Sequence, residues 1–89
     1  MLWVVYILKC ENGSLYTGIT NNLERRFKEH QLGKGGHYTS ANRPIEIVYT
    51  EKHKTKSKAL KREAEIKKWK RDKKLTLFYS KKSEAKPQI

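Results

Sequence analysis

The sequence of 89 residues is poor in cysteine and lacks long apolar runs, and each shortage excludes a class of protein. Its single cysteine, Cys10, cannot form an internal disulfide or pair with a second cysteine around zinc, so a reducing compartment is compatible. The longest apolar run, Leu2 to Leu8, is far shorter than the ~20 residues of a membrane-spanning helix. No basic segment with a cleavage site precedes that run, and we expect a cytoplasmic protein.

Acidic residues are also scarce, numbering 9 against 21 lysines and arginines, and the formal net charge is +12. This excess favours a polyanionic partner, for which nucleic acid is the leading candidate and an acidic membrane a weaker one. A basic protein that binds chiefly another protein, such as a separate specificity subunit, stays open as an alternative. A chain of this length forms one domain with a small core, because it buries only about 60% of its unfolded surface.

The first quarter of the chain predicts a β-hairpin. Residues Leu2 to Lys9 are rich in Val, Ile, Trp and Tyr, and Asn12-Gly13 then gives a strong signal for a tight turn. A second strand is predicted from about Leu15 to Thr20. Because side chains alternate along a strand, Tyr16 and Gly18 should share one face of it.

A helix is predicted next, beginning at a cap on Asn21 or Asn22 and continuing to about Gln31. Arg26 and His30 are four residues apart and should therefore lie on one side of this helix. The glycine-rich segment 33–36 should end the helix, because glycine adopts backbone conformations that other residues resist.

The second half of the chain predicts one more strand, from Ile45 to Glu51, and then helices. A long helix should run from about Lys58 to Trp69 or Lys70, after a cap at Thr55 or Ser57, and a shorter helical or irregular segment from about Lys73 to Tyr79. The order of these elements predicts an α+β fold in which helices cover a small three-stranded antiparallel sheet. We expect one domain over residues 1–79 and a polar, basic, disordered tail over residues 80–89.

An ordered set of chemically active side chains is spread over these elements. Tyr6 lies in Val5-Tyr6-Ile7 and Tyr16 in Tyr16-Thr17-Gly18, Arg26 follows ten residues after Tyr16, and His30 and Glu63 come later. This pattern resembles the GIY-YIG nuclease superfamily, and in particular its small single-domain bacterial members, from about residue 2 to residue 78. The resemblance implies a β-β-α-β-α-α fold. Val5 stands where the family name has glycine, and the tyrosine that follows it is present.

The resemblance also implies roles for these residues. It makes Tyr6, Tyr16, Arg26, His30 and Glu63 the catalytic set, with Tyr6 nearest the attacking water and Tyr16 beside the phosphate. An unperturbed tyrosine has a pKa of ~10, so we expect a metal ion, Arg26 and the basic surroundings to favour the phenolate of Tyr6. Packing in a half-buried strand is the alternative explanation for either tyrosine.

Glu63 is the carboxylate that the predicted long helix sets apart. On a helical wheel it falls inside the apolar arc of Leu60 and Ile66, whereas Glu65 lies on the polar side. Burying an isolated charge is costly, so a divalent cation, a salt bridge to Arg26 or Lys67, or access through a cleft should compensate it. The resemblance makes Glu63 the ligand of Mg²⁺ or Mn²⁺.

Three further residues are candidates for substrate contact: Gly18, Lys34 and Lys67. Gly18 lacks a side chain and should let a bound backbone or metal approach the sheet, with a β-bulge or helix packing as the alternative. His37 and His53 are interpreted as ordinary surface residues, and Trp69 as a core residue.

These observations predict a metal-dependent endonuclease that hydrolyses DNA phosphodiesters, at branched or damaged structures, in DNA repair or recombination. Some members of the superfamily carry an asparagine late in the domain, whereas this chain has none after Asn42. The alternative is a module of the same fold that binds nucleic acid by charge without cleaving it.

Overall fold

The computed structural model describes residues 2–34 and 42–77, and its strands and helices follow the predicted order. The strands are β1 (Trp3–Cys10), β2 (Leu15–Thr20) and β3 (Pro44–His53). The helices are α1 (Leu23–Gln31), α2 (Lys56–Lys67) and α3 at residues 71–77. The three strands form one antiparallel sheet in the order β2-β1-β3, and the fold class is α+β as predicted. The predicted tail at residues 80–89 and the segment containing His37 lie outside the described residues.

A tight turn fixes the β1-β2 hairpin where the sequence predicts it. Gly13 has a φ of +83°, a left-handed conformation that favours glycine. The Asn12 side chain closes the turn, because its Oδ1 accepts a hydrogen bond of 3.1 Å from the backbone N–H of Ser14. Two backbone hydrogen bonds between Cys10 and the turn, both 2.9 Å long, complete it.

The boundaries in the second half of the chain differ from the prediction. Strand β3 begins one residue earlier, at Pro44, and ends two residues later, at His53, because His53 still pairs with Trp3 across the sheet. Helix α2 begins at Lys56, since Thr55 caps it by accepting a hydrogen bond of 3.2 Å from the N–H of Lys58.

One face of the sheet carries the hydrophobic core. Val5 and Ile7 of β1 point to this face and pack with Ala59 and Ile66 of α2, and all four are fully buried. Trp69 packs against this cluster, as the sequence predicts. Burying one large aliphatic side chain contributes roughly 1.5–3 kcal/mol, so α2 is held on the sheet mainly by these contacts.

No helix within residues 2–34 and 42–77 is long and apolar enough to cross a membrane.

Candidate active site

The register of the hairpin brings Tyr6, Tyr16 and Gly18 together on the other face of the sheet. Tyr6 pairs with Gly18, and Leu8 pairs with Tyr16, so these residues share the face opposite the core. A Cβ atom on Gly18 would lie 2.5 Å from the Tyr6 hydroxyl and 3.1 Å from the Tyr16 ring. The space that glycine leaves is therefore taken by the Tyr6 phenol. The contact of a substrate or metal with Gly18 stays a prediction.

Helix α1 places His30 beside the Tyr6 phenol. The helix begins at Leu23 after the cap residue Asn22, whose Oδ1 accepts a hydrogen bond of 3.1 Å from the N–H of Arg25. It ends in a Schellman motif, in which Gly33 has a φ of +79° and its N–H and that of Lys34 donate back to the last turn of the helix. Between these two caps His30 is fully buried, and its Nε2 lies 2.9 Å from the Tyr6 hydroxyl oxygen.

The rings of Tyr6, Tyr16 and His30 form one aromatic cluster. The ring centroids of Tyr16 and His30 are 5.0 Å apart and those of Tyr6 and His30 are 5.9 Å apart, both in edge-on arrangements. The two tyrosine rings are tilted and lie 6.3 Å apart. Such packing stabilises each ring in a single orientation, so both phenols have fixed positions relative to the imidazole.

Arg26 lies on the same side of α1 as His30, one turn earlier. Its guanidinium donates a hydrogen bond to the Tyr6 phenol oxygen, and its Nη1 lies 3.2 Å from Oε1 of Glu29. Arg26 is partly buried, whereas its neighbour Arg25 is exposed, as the helical spacing predicts.

Burial raises the pKa of Tyr6 to about 12 and so disfavours its phenolate. The hydrogen bond from Arg26 acts in the opposite direction, but the loss of solvent outweighs it. Arg26 thus favours the phenolate as expected, but removal from water has the larger effect on this buried phenol.

Burial also lowers the pKa of His30 to about 4, with the positive charge of Arg26 adding to the effect, so the imidazole is neutral at pH 7. The Tyr6 oxygen accepts a hydrogen bond from Arg26 and shares a second hydrogen bond with Nε2 of His30. In this second bond the tautomer of the imidazole decides which group donates. The site therefore places the phenol between a guanidinium and an imidazole, with a hydrogen bond to each.

Glu63 lies on α2, which packs on the face of the sheet opposite Tyr6. Its carboxylate is close enough to Tyr6 to disfavour the phenolate electrostatically. Only 18% of the Glu63 side chain is exposed, against 59% for Glu65, which agrees with the helical wheel. Oε2 of Glu63 lies 3.3 Å from Nζ of Lys67, so one of the two predicted salt bridges is present.

Glu63 is the only predicted metal ligand, and the residues around it determine whether a cation fits. Within residues 2–34 and 42–77, no group of three or more histidine, cysteine, aspartate or glutamate side chains could enclose a metal ion. Mg²⁺ is commonly held by one or two carboxylates, with water and substrate phosphate oxygens supplying the other ligands. A single carboxylate such as Glu63 fits that mode of binding.

The remaining predicted residues, Lys34, Lys67 and His53, each have different neighbours. Lys34 is exposed immediately after α1, and Lys67 is ion-paired with Glu63. The interpretation of His53 as an ordinary surface residue is wrong: its side chain is only 20% exposed, and its Nε2 lies 3.2 Å from Oε2 of Glu51. Sequence periodicity did not predict the burial of His53, because its contact with Glu51 depends on β3 extending to His53.

Sequence reasoning missed two acidic residues that contact arginines. Glu29 pairs with Arg26 inside the candidate site, and a three-residue helical spacing of opposite charges was the available signal. Glu51 on β3 lies 2.8 Å from Arg62 on α2, which ties the sheet to the helix away from the site. Contacts of this second kind join distant parts of the chain and have no local signature.

A buried phenol lies between a guanidinium and an imidazole on this α+β fold. The family described as the GIY-YIG catalytic domain matches residues 2–76. The chain belongs to this family, whose domains are of the nuclease type and act on nucleic acid.

The relatives agree with this assignment. A UPF0213 protein of Staphylococcus saprophyticus is 52% identical over 74 residues, which cover 83% of this chain and 90% of the relative. The solution NMR structure of a UPF0213 protein from Bacillus halodurans is similar with a TM-score of 0.59 and 42% identity, covering 91% of this chain and 86% of that chain. The NMR structure of a protein from E. faecalis has a TM-score of 0.62 and 37% identity, covering 100% of this chain and 93% of that chain.

Proposed function

We propose that this protein is a metal-dependent endonuclease that hydrolyses DNA phosphodiester bonds, in the cytoplasm and in DNA repair or recombination. The observation that carries the proposal is the position of the Tyr6 phenol, which accepts a hydrogen bond from Arg26 and faces Nε2 of His30 at 2.9 Å. Membership of the GIY-YIG family supports the reaction class. The choice of DNA, the metal and the pathway belong to the proposal.

In the proposed reaction Tyr6 acts as a base through its contact with His30. A water molecule attacks the phosphorus atom and passes a proton to the Tyr6 oxygen, while the phenol proton moves to Nε2 of His30. The bond from phosphorus to the leaving sugar oxygen breaks, and that oxygen takes a proton from solvent. This route needs no free phenolate, which agrees with the raised pKa of Tyr6.

Arg26 and Tyr16 would act on the phosphate. The guanidinium offers a planar fork of donors, which stabilises the negative charge that develops on the phosphate oxygens. The Tyr16 hydroxyl would orient the phosphate from the other side of the cluster, since its ring packs against both His30 and Tyr6.

Glu63 is the residue that would hold Mg²⁺ or Mn²⁺. The cation, when bound, supplies Lewis-acid stabilisation of charge on the phosphate oxygens. Glu63 pairs with Lys67 in the free protein, so Lys67 must release it to become a phosphate ligand. This exchange would couple metal binding to substrate contact.

Exposed lysines around α2 and α3 supply the electrostatic attraction for the substrate. They are Lys58, Lys61, Lys67, Lys68, Lys70 and Lys73. Such contacts release counterions and read no base edges, so we expect binding that weakens steeply with salt and depends little on sequence.

The test compares the wild-type protein with Glu63→Gln on linear, flapped and four-way DNA, with Mg²⁺ and with Mn²⁺. The substitution keeps the size of the side chain and removes its charge, so cleavage should be lost while affinity for DNA stays within about threefold. Glu65→Gln is the matched control, because it removes the same charge two residues away on the exposed side of α2. It should cleave like the wild type.

Two outcomes would reject the proposed endonuclease activity. Equal trace cleavage by the wild type and Glu63→Gln would identify a contaminating nuclease. DNA binding without any cleavage by the wild type on the whole panel would favour the binding module, whose site residues have only structural roles.

A further inference from the structure

Glu29 contacts Arg26, a residue of the proposed site. It lies three residues after Arg26 on α1, and its Oε1 is 3.2 Å from Nη1 of Arg26. The same guanidinium donates a hydrogen bond to the Tyr6 phenol. Arg26 therefore bridges a carboxylate on its own helix and a phenol on β1.

We propose that Glu29 is a positioning residue, whose carboxylate holds the Arg26 guanidinium against the Tyr6 phenol in the orientation that meets the substrate phosphate. This inference rests on the proposed function. An arginine side chain has many rotamers, and 33% of this one is exposed, so each contact restricts the orientations of the fork. The contact with Glu29 restricts the plane of the guanidinium before substrate binds.

The position of Glu29 also has an electrostatic consequence. Its negative charge lies beside the cation that would receive a phosphate, so it disfavours phosphate binding while it orients Arg26. Removing the charge should therefore have opposite effects on the two steps, tightening binding and slowing cleavage. A residue that serves only the stability of α1 would not separate them.

The experiment measures cleavage and DNA binding for Glu29→Gln beside the matched control Glu24→Gln. Glu24 lies on the same helix and pairs with Lys28 at 3.8 Å, with 86% of its side chain exposed. For Glu29→Gln we expect kcat to fall about tenfold, because the guanidinium loses its fixed orientation, and the dissociation constant for DNA to fall about twofold to threefold. Glu24→Gln should leave kcat unchanged.

Several results would overturn the proposal. They are an unchanged kcat in Glu29→Gln, an equal loss of kcat in Glu24→Gln, or weaker DNA binding together with slower cleavage.

A second readout separates this proposal from the proposed function. In protein labelled with carbon-13 at the tyrosine ring, the Tyr6 signal reports its hydrogen bond with Arg26 without any cleavage. Tyr6→Phe assigns the signal by its disappearance. Glu29→Gln should shift this signal and Glu24→Gln should not, whether or not the wild type cleaves DNA. An unchanged Tyr6 signal would reject the positioning role even in an active enzyme.

Discussion

The two faces of the sheet are built from alternate residues of one strand, yet they hold different kinds of groups. Val5 and Ile7 of β1 face α2 and an apolar core, whereas Tyr6, between them, faces His30 of α1. All three side chains of β1 are at most 1% exposed. Burial by itself therefore does not distinguish the structural face from the proposed catalytic face.

The difference lies in what burial does to each face. On the core face the removal of apolar atoms from water stabilises the fold. On the other face the same removal raises the pKa of Tyr6 to about 12 and lowers that of His30 to about 4, so both groups are neutral at pH 7. Substitutions on the core face should thus lower the free energy of unfolding, and substitutions on the Tyr6 face should slow cleavage.

The largest expected effect is the loss of cleavage in Tyr6→Phe, which removes the phenol oxygen and keeps the ring over Gly18. Cleavage should slow by roughly 10²- to 10⁴-fold, the usual contribution of general acid-base catalysis. Unfolding free energy should fall by only about 1–2 kcal/mol, because His30 loses one hydrogen-bond partner. Single-turnover cleavage and urea denaturation measure the two quantities. Tyr49→Phe, on the core face of β3, should retain cleavage, and an equal loss there would contradict the assignment.

Ile66→Ala should have the converse result, a large loss of stability with little change in cleavage. It removes a fully buried side chain from the core face, and truncations of this kind cost about 2–5 kcal/mol of unfolding free energy. The molecules that remain folded should cleave at close to the wild-type rate. Leu60→Ala on the same helix, where 44% of the residue is exposed, is the control and should change stability far less. If Ile66→Ala instead abolished cleavage in fully folded protein, the two faces would not be independent.

The smallest expected effect is a decline in stability with falling pH that comes from His30. His30 has a pKa of about 4 in the folded protein and 6.5 in the unfolded chain, so the unfolded chain binds a proton first as the pH falls. Stability that is present above pH 6.5 should decline toward pH 4, by at most about 3 kcal/mol. Urea denaturation at several pH values should show this decline in the wild type and less of it in His30→Gln. His53→Gln is the histidine control, and the same flattening in that variant would exclude His30 as the cause.

Patterns among residues close together in the sequence predicted most of the fold. The Asn12-Gly13 turn predicted the hairpin, alternation predicted the shared face of Tyr16 and Gly18, and the spacing of Arg26 predicted its side of α1. Each of these depends only on neighbouring residues and on the regular geometry of strands and helices. The third strand was predicted too short, because its last residues are paired with the start of β1 and their own sequence is polar.

The candidate site was harder to predict where it depends on burial. The sequence indicated which side chains would meet, but not that solvent removal at Tyr6 would exceed the effect of Arg26 on its pKa. It also gave no sign that Gly18 makes room for a side chain of the protein itself. The first fact depends on how closely other elements pack around Tyr6, and the second on where its ring lies across the hairpin, which no local pattern encodes.

The turn at Gly13 has a consequence for how this domain tolerates insertions. The turn fixes the register that places Tyr6 opposite Gly18, and β2 has no other residue without a Cβ. One added residue in the turn that shifted β2 by one position would move Tyr16 to the core face and put a larger side chain opposite Tyr6. The length of this hairpin loop is therefore a determinant of the proposed chemistry, although the loop itself lies at the end of the strands. Domain fusions and engineered insertions should enter the chain elsewhere.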